Sequence, residues 1–458
     1  MKLRTVQPLS TLLLLSLMVS CSGSSIPTSN SSASNGGSNA EDNTPSEGSG
    51  GEVGDGSASS SNLEKSLLQV SQLHYVGAFR LPRTGGGASR FGYCGWAFAL
   101  NADAGSIYVV GHDNDQLVAE VSIPTPLDHH AVGIAGLNTA SFLQNFTDIT
   151  EGMAASLNSG NGFQINGLAV LPAHGSQTSS HLYWTAREYY NVDRSDDLSH
   201  GMSDLDFTHP NAQGLWRLSP NMRSAGYLMI IPKDFANTYL GGKRLASGLF
   251  TQQGVSATSA GPALFAFAPW LDDVNSIAPA AGTALSNTPL IYYPYNEDGS
   301  ESGEEISESS WWVNEGSSNF PEFQIPDRWD SAVWIETPSS HGIVAFGQRS
   351  DGRTYYGDQR PGDCTIAKGY HGEPYHPSLV MYDPADLAAV ASGNKNPTSA
   401  QPYLEQDTSD WFVDTCVFEF HGAGYDASQQ LLYVLQRQAD TVDGEPQPLI
   451  YVFHVEDE

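Results

Sequence analysis

From residue 74 onward the chain runs in short apolar stretches broken by Gly, Pro, Asn and Asp, with no long stretch of 3.6-residue periodicity. Runs of β-branched and aromatic residues between turn-formers predict strands. Short helical turns are expected at Pro232–Tyr239 and Pro384–Ala391. One strand pattern returns five times and tends to end in a cationic or polar residue: Ile107-Tyr108-Val109-Val110-Gly111-His112, Leu182-Tyr183-Trp184-Thr185-Ala186-Arg187, Leu264-Phe265-Ala266-Phe267-Ala268-Pro269, Val344-Ala345-Phe346-Gly347-Gln348-Arg349 and Leu432-Tyr433-Val434-Leu435-Gln436-Arg437.

Each of these strands has a neighbour on either side. The preceding runs are Gly95–Leu100, Ile165–Leu171, Arg244–Phe250, Asp330–Ile335 and Gly422–Tyr425. The following ones are Val118–Ile123, Gly214–Leu218, Leu290–Tyr293, Leu379–Tyr382 and Leu449–Val455. Three strands per unit with a fourth to complete it is the plan of a propeller blade. The predicted fold is therefore all-β, a β-propeller of five blades, with six or seven left open because the repeats lie about 75–90 residues apart, roughly twice a compact blade. A β-sandwich array is the alternative. The unpaired run His74–Leu81 has the C-terminal unit as its natural partner. That pairing would close the ring and remove two exposed sheet edges.

The first twenty residues carry Lys2 and Arg4 and then an apolar run from Leu12 to Val19, the form of a secretory signal and too short for a membrane span. Met18-Val19-Ser20-Cys21 resembles the bacterial lipoprotein cleavage box. The resemblance implies that Cys21 is lipidated, and Ser22 after it implies the outer membrane of a Gram-negative cell envelope, periplasmic or surface-exposed. Residues 21–62 are Ser, Gly, Asn and acidic residues that cannot bury enough surface to fold, so they read as a tether, with one domain over 63–458.

The net charge of −31 argues against nucleic acid as a partner. Contact with membrane is expected through the lipid only, and the domain is expected to be a monomer. Of the 20 basic residues 14 are Arg, the residue suited to forked recognition of carboxylate or sulfate-like groups. With Cys21 lipidated, Cys94, Cys364 and Cys416 remain for one disulfide and one thiol; Cys364–Cys416 is favoured because both lie in the C-terminal third, with the other pairings open.

Strand order in a propeller brings the end of each second strand back to the mouth where the inner strand began. His112, Arg187, Arg349 and Arg437 should therefore meet Asn166, Arg244, Arg328 and His421 there, with Tyr93, Glu188, Tyr189 and Tyr190 in reach. Such a set suits an anionic or polar glycan. In β-elimination from a uronate polysaccharide, Arg187 or Arg349 would neutralise the carboxylate, His112 would take the proton and Tyr189 or Tyr190 would protonate the departing oxygen. Arg437, Asn166, Arg328, His421 and Arg244 complete the expected binding surface. In architecture and residue types this resembles the propeller polysaccharide lyases of the ulvan-lyase type. Asp113, Asp115, Asp193, Asp330 and Asp440 could instead tie the arginines into the fold, which would leave a non-catalytic glycan binder or a protein-interaction scaffold.

Hydrolysis, which needs two carboxyl groups, ranks lower, with Asp330, Glu419 and Glu188 on offer. Calcium is a candidate cofactor at Asp113-Asn114-Asp115 or Asp193–Asp197, although neither fits an EF-hand loop. His371 and His376 form a separate loop cluster, and Trp311-Trp312 could stack on sugar. No nucleophile elbow, phosphate loop or HExxH is present. Three phrases, Tyr75–Pro82, Val110–Asp113 and Glu188–Asp193, resemble a broad group of secreted bacterial proteins. That likeness implies one continuous domain over residues 74–455 and adds no activity.

Overall fold

The apolar runs are strands buried on both faces. In Ser106–Val110 every residue is buried, and successive side chains point to opposite sides of the sheet. Ile107 and Val109 enter one apolar cluster, Tyr108 and Val110 another. A sheet that needs cover on both sides can be satisfied by standing radially between two others.

The computed structural model describes residues 63–127, 133–160, 162–174, 177–190, 198–219, 224–249, 261–272, 277–293, 323–324, 326–352, 355–364 and 368–457. The leader, Cys21, the tether, the Asp193–Asp197 turn, the acidic stretch 296–308 and Trp311-Trp312 lie outside them. The described residues form a five-bladed β-propeller. Blade 1 contains Phe98–Asn101, Ser106–Val110, Val118–Ser122 and Phe142–Thr147, from the axis outward. Blade 2 contains Phe163–Leu171, His181–Glu188, Leu198–Asp204 and Gln213–Arg217. Blade 3 contains Tyr227–Ile230, Leu245–Gly248, Ala263–Phe267 and Asn287–Tyr292. Blade 4 contains Arg328–Glu336, Ser340–Ser350, Tyr375–Tyr382 and Leu404–Asp407. Blade 5 contains Ala423–Asp426, Leu431–Asp440 and Gln447–Val455, and its outer strand is the N-terminal Leu73–Arg80.

That N-terminal strand runs antiparallel to Gln447–Val455, from Leu73 opposite Val455 to Arg80 opposite Leu449, as the closure argument predicts. Just before it, Ser66–Leu67 pairs parallel with Ser340–His341 of blade 4, so one segment joins blades 4 and 5. Each inner strand packs on the next around the axis, that of blade 5 on that of blade 1 included. Five apolar cores fill the five spaces between blades. Where only one face is covered, the pattern alternates: Leu404–Asp407 reads half-buried, exposed, half-buried, exposed.

Two units differ from their sequence reading. Leu264–Pro269 belongs to the third strand of blade 3, because Tyr227–Ile230 is its inner strand and the run beginning at Arg244 supplies its second. In blade 2, Leu198-Ser199-His200-Gly201-Met202-Ser203-Asp204 is a strand that hydropathy does not announce. It is buried because Trp184 lies over Gly201, where a Cβ would overlap the indole. The two expected helices fall at Lys233–Tyr239 and Pro384–Ala391, and a short one at Pro269–Asp272 follows the third strand of blade 3. Between the second and third strands of blade 4 the chain makes a small hairpin, Tyr355–Gly357 with Gly369–His371. The disulfide is Cys364–Cys416, and Cys94 is a buried free thiol.

Phe79 on the closing strand is fully buried between blades 5 and 1. Phe79→Ala is expected to lower unfolding free energy by about 3–5 kcal/mol, read from the midpoint of a urea titration. A shift no larger than that of a surface substitution would show that the closing strand contributes little.

Candidate functional site

Inner strands begin, and second strands end, at one mouth of the ring. Gln164 lies opposite Arg187, Arg328 opposite Gln348, and Cys94 opposite His112. In blade 5 the Arg437 N–H donates to the Glu419 carbonyl at 2.8 Å.

The centre of this mouth is a buried charged cluster. Glu419 sits between two arginines, accepting from Arg328 Nη1 at 3.0 Å and from Arg437 Nη1 at 2.9 Å. Arg328 Nε also donates to Asp330 at 3.2 Å, and Asp330 accepts the Phe420 N–H at 3.2 Å. Arg437 Nε donates to the Cys94 carbonyl at 2.7 Å, and its Nη2 lies 3.7 Å from Asp113. The Arg437 guanidinium lies 4.4 Å from the Trp96 ring centre, while the indole N–H donates to Asp113 at 2.7 Å. His421 meets the same indole edge-on at 4.2 Å. Arg187 is buried nearby.

Burial and neighbouring charge set the protonation states. Burial alone would raise the Glu419 carboxyl, but Arg437 and Arg328 together outweigh it and bring it down to about 2. Burial raises Asp330 to about 6, against the pull of Arg328. It holds His421 well below 6.5, so this ring is neutral at pH 7. Burial also lowers Arg187 to about 10, with Tyr189 raising it and Arg328 lowering it. Three guanidiniums therefore face three carboxyl groups, one of which takes up a proton near pH 6. Arg328 Nη2, His421 Nε2 and Gln164 Oε1 are buried and have no hydrogen-bond partner among the described residues. Leaving such a group unsatisfied costs about 1–3 kcal/mol.

Of the sequence-predicted residues, Arg187, Arg328, Arg437 and His421 come together here. Asn166 is buried near them and donates to the Ala225 carbonyl of the next blade at 3.3 Å. Two do not join the cluster. Arg349 is one position along from Gln348, so the two-residue period turns it to the other face of blade 4. There it meets Asp327 at 3.4 Å, Glu405 at 3.1 Å and the Phe323 ring. Arg244 precedes a second strand rather than an inner one and therefore lies at the opposite mouth. The ring residues that sequence reasoning missed are Trp96 and Gln164; a lone Trp at the head of an apolar run carries no signal of a site.

His112, Tyr189 and Tyr190 are at the rim. His112 Nδ1 accepts the Asn114 N–H at 3.1 Å, which in the neutral ring leaves the proton on Nε2. Its ring lies 6.0 Å from that of Tyr93. Tyr93, Tyr189 and Tyr190 are 42%, 43% and 47% exposed. Among the described residues only Leu143 and Leu271 are other large apolar side chains so open to solvent. In the Asp113–Asp115 turn, Asp113 accepts from Trp96, Gln116 and Gln164, and Asp115 from Ser89.

No protein-family model matches the sequence, and no curated protein matches it. Among solved structures, the ectodomain of the parainfluenza virus 5 hemagglutinin-neuraminidase aligns over 86% of this chain and 89% of its own, at 8% identity and a TM-score of 0.30. Similarity that low bears on neither fold nor function.

In the loop joining the second and third strands of blade 4, which leaves and returns at this same mouth, Asp363, His371 and Glu373 place ligand atoms within 4.8 Å of one another. His371 Nδ1 faces Glu373 at 3.4 Å and its Nε2 faces the Gly357 carbonyl at 3.2 Å, a pattern that an imidazolium satisfies by itself. A cavity also opens at the opposite mouth, away from the charged cluster. A hollow shows where a ligand fits, whereas the cluster shows which groups would hold it, so the candidate site is placed on the cluster.

Glu419→Ala would leave two buried guanidiniums without their shared partner. It is expected to cost about 3–5 kcal/mol of stability in denaturant unfolding at pH 7. Because the Glu419 pKa is lowered in the fold, its contribution is present above pH 4.5 and lost as pH falls toward about 2. The difference between wild type and variant should therefore shrink below pH 4.5. A difference independent of pH would show that the carboxylate charge is not what matters.

Proposed function

We propose that this propeller is a non-catalytic binder of an acidic glycan, received at the mouth that holds Trp96. The observation that carries this reading is the combination at one mouth of three exposed tyrosines with a buried arginine cluster that retains unsatisfied donors. Tyrosine rings give sugar faces a flat, amphipathic surface. A sugar carboxylate reaching inward would accept from Arg328 Nη2 and His421 Nε2, with charge-assisted strength on the arginine side.

Binding is favoured over eliminative cleavage by the state of the rim. The His112 nitrogen that lacks a proton is already occupied by a backbone N–H, so the base of the lyase scheme has no open lone pair. Asp330 and Glu419, the acids a hydrolase would use, are both committed to Arg328. A lipid on Cys21 and the tether after it would display this mouth at the cell envelope.

Titration calorimetry with uronate oligosaccharides, against neutral ones of equal length, tests the reading. Saturable binding of the acidic set is expected, weakened about tenfold or more by Tyr189→Ala and by Arg328→Gln. The ultraviolet absorbance of unsaturated uronate should stay flat. Rising absorbance would restore the lyase, and absence of binding across the set would sink the glycan reading.

The same titration carries a pH signature. Protonation of Asp330 removes a negative charge beside Arg328, so affinity for an acidic glycan should rise as pH falls from 7 to 5, through about 6. Asp330→Asn should bind tightly and equally at both values. Unchanged affinity in the wild type would place the ligand away from Asp330.

A further inference from the structure

The axis of the ring is hollow at the mouth opposite the charged cluster. A cavity of about 580 Å³ opens there, within the range of small-molecule sites. All five inner strands contribute to its wall, which is largely aliphatic: Leu168 and Val170 from blade 2, Leu228 and Ile230 from blade 3, Val333 from blade 4.

Arg244 stands on this wall, half-buried where blade 3 turns into its second strand. Its Nε is 3.4 Å from the Ile231 carbonyl. No carboxylate pairs with it among the described residues, and burial alone lowers its pKa, with no acid raising it. In a chain with 51 acidic residues that is unusual. Lys65, on the same wall, is held by Glu336 at 2.8 Å. Two further polar atoms on wall residues, Trp334 Nε1 and Tyr425 Oη, are buried and lack a hydrogen-bond partner among the described residues.

We propose that this cavity is a second binding site, for a small monocarboxylate with an apolar body. The carboxylate pairs with Arg244, and the body lies against the aliphatic wall of the inner strands. One unpaired guanidinium balances one negative charge. A doubly charged phosphate would instead leave excess charge beside Asp103 and Glu336, which share this wall. The site is independent of the glycan reading, because it is at the other mouth and shares no residue with the arginine cluster.

Calorimetric titration of the full chain with octanoate, and separately with 1-octanol, tests the proposal. Octanoate should bind saturably and more tightly than octanol. Arg244→Gln should weaken octanoate by about tenfold or more, the worth of a charge-assisted hydrogen bond. Ala423→Leu, which fills the wall without changing charge, should also weaken it, while Tyr189→Ala should leave it unchanged. Circular dichroism establishes that each variant is folded. If Arg244→Gln does not fold, Ala423→Leu decides. The proposal is overturned by the absence of saturable octanoate binding, by octanol binding as tightly as octanoate, or by undiminished binding in the folded Arg244→Gln or Ala423→Leu protein.

Discussion

The structure depends on strands that bury both of their faces. A blade's middle strands send alternate residues into two different inter-blade cores, as Ile107 and Val109 do on one side and Tyr108 and Val110 on the other. No blade can satisfy that requirement alone, so closure of the ring is a condition of stability. The segment from Ser66 to Arg80 meets that condition by pairing with both blade 4 and blade 5. A slip of one residue in any middle strand would exchange its two cores and misplace volume in both.

The same two-residue period decides which side chains reach the charged mouth. Arg328 enters the cluster because its cross-strand partner is Gln348; Arg349, one step further, is carried to the opposite face. Once inside, the arginines need counter-charge, and Glu419 serves two of them at once. Burying so many ions is poor value as a source of stability compared with apolar packing. Their arrangement is better understood as pre-organisation: Arg437 and Arg328 are held rigid by carboxylates and by Trp96 while Arg328 Nη2 and His421 Nε2 stay unsatisfied.

The two mouths of one axis therefore differ in kind. One gathers arginines, carboxylates, a neutral histidine and exposed tyrosines. The other is an aliphatic hollow with Arg244 on its wall, which no carboxylate pairs among the described residues. Both are built on the ends of the same five inner strands, and wall residues of the hollow such as Val170, Leu228 and Val333 also belong to the inter-blade cores.

Much of the architecture was legible in the sequence. The aliphatic and aromatic runs marked most strands, the orphan run at 74–81 foretold closure, and the short helices followed from local composition, while the Cys364–Cys416 bridge was one choice among three cysteines. Extended or helical conformation is a property that neighbouring residues determine among themselves, whereas closure joins the two ends of the domain. Strand Leu198–Asp204 was hidden because its burial comes from Trp184 on another strand, and the four-residue strand Tyr227–Ile230 was not counted. That one uncounted strand reversed the inferred direction of the next and sent Arg244 to the wrong mouth. The grouping of Trp96, Arg437, Arg328, Glu419 and His421 likewise joins residues from three blades. Local sequence sets whether a segment is extended; which mouth a residue faces, and which charges it meets, is set by strand count and ring closure, and these exist only in the folded chain.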